Sequence, residues 1–196
     1  WQGYGVPPTS NANYAWILHI LNKLNVSRGI AGFLLANGAL DDSDTLEIRK
    51  LLIESDKVEA IIVLPRNMFY STDISVTLWI LNNNKKGGPW HGRQLRNRTG
   101  EILFIDLRTW NSNIYEKKYV RLTEADIDRV RQIYFNWQTE NFVEYAEPEL
   151  YYAAHRDEIQ GKGYSLVPSR YIEFIDRDTE IDYQSALSEM SDKFNA

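Results

Sequence analysis

Two apolar runs joined by a short link constrain this chain most: "VEAIIVL" (58–64) and "ISVTLWIL" (74–81). Unbroken apolar stretches of that length suit strands covered on both faces, and Pro65, which has no N–H to donate, stops the first of them. An earlier run, "GIAGFLLANG" (29–38), is bounded by glycines and is expected to be a third buried strand. Between it and residue 58 lies "DDSDTLEIRKLLIES", with an acidic first turn and Leu46 to Ile53 in helical spacing. Strand, helix, strand is a crossover unit, and the short link from Leu64 to Ile74 lets the next strand return antiparallel.

The flanks extend this reading. Upstream, "NANYAWILHILNKL" carries Ile17, Ile20, Leu21 and Leu24 on one helical face, with Ser10, Asn11 or Asn13 available as a cap. Downstream, "NNNKKGGPWHGRQLRNRTGE" (82–101) reads as the long loop of a hairpin leading into "ILFIDLR" (102–108). From about Asn111 the character changes. "LTEADIDRVRQIYFNWQ" (122–138) is capped at Thr123 and carries Ile127, Val130, Ile133, Tyr134 and Trp137 on one stripe, and "DYQSALSEMSDKFNA" could add a last short helix. The expected architecture is α/β with too few strands for a doubly wound sheet. Residues 1–110 form its last strands and helices, and 111–196 a mainly helical C-terminal region. The first strand should present an open edge. Together with a chain that begins at Trp1, this reads as a piece of a longer protein.

Composition excludes several chemistries. With no cysteine among 196 residues there is no disulfide framework, thiol nucleophile or cysteine-ligated metal, which fits a reducing compartment without establishing one. His19, His91 and His155 lack ligand-spaced partners, so no metal site is expected. Asp41, Asp42 and Asp44 precede a helix and read as caps. No apolar run is long enough for a membrane-spanning helix. A net charge of −5 gives no general attraction to nucleic acid. Within this acidic chain Lys85, Lys86, Arg93, Arg96 and Arg98 cluster in one loop, either as a solvated loop or as contacts to DNA phosphates. The turn "PRNMFYST" sets Met68, Phe69 and Tyr70 where small polar residues are usual, so these side chains either pack under a neighbour or await a ligand.

The order "YGVPP…NANYAWILHIL", "GIAGFLLANGAL", "EIRKLLIES", "VEAIIVLPRNMFYSTDISVTLWIL", "EILFIDLR" and "GYSLVPSRYI" resembles the modification subunit of type I restriction-modification systems, in the N6-adenine DNA methyltransferase family. The resemblance runs from Tyr4 to about Ile172. It implies the C-terminal half of a Rossmann-like methyltransferase sheet that uses S-adenosylmethionine, working in the cytoplasm on DNA with a specificity subunit and a restriction subunit. In that family a glycine motif binds the cofactor and an N-P-P-F/Y motif holds the adenine. Neither occurs here, so no catalytic residue is expected in this chain, the N-P-P-aromatic is expected upstream of Trp1, and the chain alone should be inactive.

A flipped adenine needs aromatic faces on both sides, and the resemblance assigns the second face to Phe69, with Tyr70 as the alternative and Met68 as packing. Two other readings stand beside this one: a non-catalytic module that assembles with the specificity subunit, and a Rossmann-like methyltransferase acting on RNA or a small molecule.

Overall fold

A computed structural model of the chain describes residues 3–115, 118–176, 187, 192 and 193. The elements run α1 (Asn13–Lys23), β1 (Ile30–Ala36), α2 (Leu46–Glu54), β2 (Val58–Val63), β3 (Val76–Asn82), β4 (Gly88–Trp90), β5 (Arg93–Leu95), β6 (Glu101–Asp106), β7 (Ile114–Tyr115), β8 (Tyr119–Val120), α3 (Glu124–Thr139), β9 (Ala146–Glu147), β10 (Tyr151–His155) and α4 (Arg156–Gly161). Most of the closing stretch expected as a helix lies outside the described residues.

Six strands form one mixed sheet in the order β1-β3-β2-β6-β10-β9. β3 is antiparallel to both β1 and β2, which therefore run parallel to each other with β3 inserted between them. β2 pairs in parallel with β6. The crossover and the antiparallel return expected from the sequence are both present. β2 is the centre, buried at every residue, because strands flank it on both edges and helices cover both faces.

Alternation divides the core. On one face Val58, Ile61, Val63, Trp79, Leu81, Ile102 and Phe104 pack with Tyr14 and Ile17 of α1 and Leu52 of α2. On the other, Ala60, Ile62, Leu103 and Ile105 pack with Ile133 and Trp137 of α3. One irregularity matters. The β2–β3 register shifts between Val58 and Ala60, so two successive residues, Glu59 and Ala60, both meet the α3 side. A β-bulge produces this by adding one residue to one strand.

Three expectations need correction. β1 is not buried on both faces. It lies at the sheet edge and alternates between exposed and half-buried, with Ile30 and Leu34 among the exposed apolar residues. An apolar run bounded by glycines does not by itself distinguish a central strand from an edge strand. Second, the 82–101 segment is no hairpin loop between β3 and β6, since those strands are not neighbours; it carries a small hairpin of its own, β4–β5. At its start Gly87 has φ +85°, and a Cβ there would sit 2.5 Å from the Arg96 carbonyl oxygen. Third, among the described residues the region after 111 is not helices alone: it also supplies β9 and β10, and β10 extends the sheet beyond β6. The helix stripe holds except at Ile127, which is exposed.

Candidate functional site at the carboxyl edge of the sheet

The parallel strands β1, β2 and β6 all end on one side, the side where open α/β sheets bind ligands. There Asn37, Arg66, Asn67, Ser75, Arg108 and Asn111 line a cleft of about 880 Å³. The turn after β2 forms its rim. Pro65 ends the strand, Asn67 adopts φ 60°, and a single antiparallel bridge joins Phe69 to Thr72. Ser75 Oγ donates to the Leu64 carbonyl at 2.6 Å and fastens the base of the turn. Phe69 is half-buried and belongs to neither hydrophobic core. Tyr70 is 70% exposed, its ring 4.5 Å from that of Tyr119. Met68 lines a smaller cleft with Tyr70, Tyr115 and Tyr119.

The β7–β8 hairpin sits directly against this turn, with the Val120 N–H donating to the Asn67 carbonyl at 2.9 Å. The same edge carries cations that the sequence reading overlooked. Arg66 pairs loosely with Asp73 at 3.5 Å. Arg108 binds Asp106 through two nitrogens, and those hydrogen bonds push its pKa above the ordinary arginine range. Lys118 lies 5.6 Å over the Tyr119 ring and Arg121 lies 6.0 Å over Tyr115. The run "IYEKKYVR", in which lysines and arginine alternate with tyrosines, is the signal that could have revealed them.

The basic loop is elsewhere, at the opposite edge of the sheet. Lys85 is 3% exposed; its Nζ donates to the Val58 carbonyl at 2.9 Å, where β2 begins, and to the Glu101 carbonyl, where β6 begins. It also pairs with Asp56 at 3.2 Å. Burial lowers the Lys85 pKa against the pull of Asp56.

Arg98 is fully buried, donating to the Arg96 and Asn84 carbonyls and pairing with Glu59 at 3.4 Å. Arg96 forms a two-pronged pair with Glu101, at 2.8 and 2.7 Å, and donates from Nε to the Trp137 carbonyl. Burial would raise the Glu101 pKa, yet Arg96 holds it below the ordinary carboxylate value. Arg93 lies 3.9 Å over Phe135 and reaches Gln138.

These side chains gather at the C-terminal end of α3, where carbonyls lack helical partners and positive charge is favoured. Lys85, Arg96 and Arg98 are thus internal ties, a correction to their candidacy as phosphate contacts. Lys86 is exposed and Arg93 half-exposed.

The remaining expectations concern polar clusters. His19, His91 and His155 are all exposed, and among the described residues no group of three or more acidic or histidine side chains could hold a metal. Asp42 caps the short turn before α2 by accepting from the Asp44 N–H at 2.9 Å, and Asp41 pairs with Arg170 at 3.1 Å. Among the described residues no helix is long and apolar enough to cross a membrane.

Known proteins resemble this chain in sequence and in fold. The chain is 35% identical over 172 residues to the type I restriction enzyme HindI methylase subunit of Haemophilus influenzae, covering 86% of this chain and 35% of that protein. It is 33% identical over 190 residues to the type I restriction enzyme MjaIX methylase subunit of Methanocaldococcus jannaschii, covering 96% and 32%. The chain therefore spans about a third of the length of these curated relatives.

Among solved structures, the type I restriction-modification methyltransferase subunit from Streptococcus thermophilus matches with a TM-score of 0.72 at 25% identity, over 89% of this chain and 33% of that one. The EcoKI M protein has the same fold, with a TM-score of 0.62 at 19% identity over 95% of this chain and 43% of that one. The family model described as N-6 DNA Methylase matches residues 1–180, and the chain belongs to that family.

Proposed function

We propose that this chain is the C-terminal portion of the methyltransferase sheet of a type I modification subunit, and that the whole protein transfers a methyl group from S-adenosylmethionine to N6 of adenine in DNA. A specificity subunit would choose the sequence and a restriction subunit would complete the system in the cytoplasm. The observation that carries this reading, beside the family match over residues 1–180, is Phe69. It is a large aromatic, half-exposed and outside both cores, in the carboxyl-edge turn whose Arg66 and Asn67 line the cleft, the kind of side chain on which a flipped base stacks. Tyr70, one residue on, is the alternative platform.

The cofactor does not fit the residues present. Among the described residues no strand leads through a Gly-x-Gly turn into a helix, and the polar side chains lining the cleft are amides, guanidiniums and one hydroxyl, with no carboxylate to meet a ribose. This chain's part is therefore to stack and orient the base, and on its own it is inactive. The test is a methylation assay with the full-length subunit and its specificity partner on duplex DNA, followed by mass spectrometry of the nucleosides. N6-methyladenine is the expected product. Methylation of RNA alone, or of another base, overturns the reading.

A further inference from the structure

Phe69 and the basic 82–100 loop stand at opposite ends of β2. Six residues at roughly 3.3 Å each put about 20 Å between those ends. The backbone of a nucleotide whose base lies on Phe69 is joined to its flanking phosphates by only a few bonds, so the cations that hold those phosphates must lie at the carboxyl edge. Three of the five loop cations are in any case occupied by carbonyls and carboxylates within the fold.

At the carboxyl edge the β7–β8 hairpin carries Lys118 and Arg121, both exposed. Among the described residues neither meets a carboxylate, and each rides over a tyrosine ring that limits its freedom. Arg121 lines the same 280 Å³ cleft as Met68 and Tyr70, the residues on either side of Phe69. The hairpin is fixed to that turn twice, through the Val120–Asn67 backbone bond and the Tyr70–Tyr119 ring contact. Position, exposed positive charge and attachment to the base-stacking turn coincide here, among the described residues, and nowhere in the 82–100 loop.

We infer that the β7–β8 hairpin, through Lys118 and Arg121, grips the DNA phosphates that flank the base held at Phe69. This rests on the reading of Phe69 given above. Arg66, exposed on the same edge but held by Asp73 through its carbonyl at 3.2 Å and its carboxylate at 3.5 Å, is a weaker third contact. The hairpin grips without reading sequence, because phosphates are the same at every step of the duplex.

The experiment uses the full-length modification subunit in its complex with the specificity subunit and a fluorescent duplex carrying the target site. Affinity is measured across a salt series for wild type, for Lys118→Gln with Arg121→Gln, and for Lys86→Gln with Arg93→Gln. Each lost phosphate contact reduces the slope of log K against log salt by about 0.9. The hairpin pair should therefore flatten the slope by about 2 while the loop pair leaves it at the wild-type value. A wild-type slope in the hairpin variant overturns the inference, as does a flattened slope in the loop variant alone. Loss of the specificity subunit from the hairpin variant, read by gel filtration of the same samples, overturns it in favour of a protein-docking role. If the wild-type complex methylates adenine normally, such results sink only the hairpin assignment; if it neither binds nor methylates DNA, the proposed function fails first.

Discussion

Arg98 and Glu59 form an ion pair at 3.4 Å with neither side chain exposed to solvent. The bulge in β2 turns Glu59 toward α3, where Tyr134 and Gln138 also donate to its Oε1, at 3.1 and 2.8 Å. The buried carboxylate pushes the Tyr134 hydroxyl's pKa up, after burial itself, so that the phenol stays a donor.

Removing one member of such a pair leaves the other charge buried and uncompensated. Arg98→Met should cost about 3–5 kcal/mol, read as a shift in the urea midpoint at unchanged m-value. Adding Glu59→Gln should recover part of the loss. Equal stability of Arg98→Met and wild type would mean that the guanidinium is not the ion that balances Glu59.

Phe69→Ala tests the stacking role separately from folding. The half-exposed ring belongs to neither core, so the melting temperature should change little. Adenine methylation by the full-length subunit should fall by roughly 5- to 150-fold, the equivalent of about 1–3 kcal/mol of stacking. Titration calorimetry should show S-adenosylmethionine binding unchanged. Collapse of cofactor binding would identify the residue as structural.

Acid sensitivity follows from Asp56 and Glu101. Burial would raise both pKa values, but Lys85 and the Gly100 N–H hold Asp56 below its ordinary value, and Arg96 does so for Glu101. A carboxylate with a depressed folded-state pKa binds its proton more readily when unfolded. Its stabilising contribution is present above the unfolded value of about 4 and is lost as pH falls through the folded one. Denaturation midpoints measured from pH 7 to pH 3 should be flat and then drop below about pH 4.5. In Glu101→Gln the starting stability should be lower and the acid drop shallower.

The start of α3 offers a local check. Thr123 Oγ1 accepts from the Asp126 N–H at 3.1 Å while Asp126 accepts from the Thr123 N–H at 2.7 Å, a reciprocal capping box. Thr123→Ala should cost about 1 kcal/mol in equilibrium unfolding, and Thr123→Ser close to nothing.

Where periodicity reports burial, the sequence was a good guide. β2, β3, α2 and α3 were expected close to where they lie, because unbroken apolar runs and helical stripes follow directly from being covered. β10 was hidden: "YYAAH" has no strong strand signature, and what makes it a strand is pairing with β6, far away along the chain. The basic loop was misread because charge type says nothing about whether a guanidinium faces water or the end of a helix. Arg96 and Arg98 look alike in sequence to Arg121, yet the first two serve α3 carbonyls and the loop's own backbone, while the third faces solvent over Tyr115. Phe69 was legible only as an aromatic in a turn. That its turn lies beside a cleft depends on where three separate strands end.

The outer edge of β1 has a practical consequence for handling this chain. Along Ile30–Ala36 the backbone groups that point away from β3 have no strand beside them among the described residues, and Ile30 and Leu34 add exposed apolar surface to the same strip. Such a strip recruits any extended peptide, including a second copy of itself. Purified alone, the chain should lose solubility with rising concentration, through edge-to-edge pairing that leaves its fold intact. A lysine in place of Leu34 should hold it in solution.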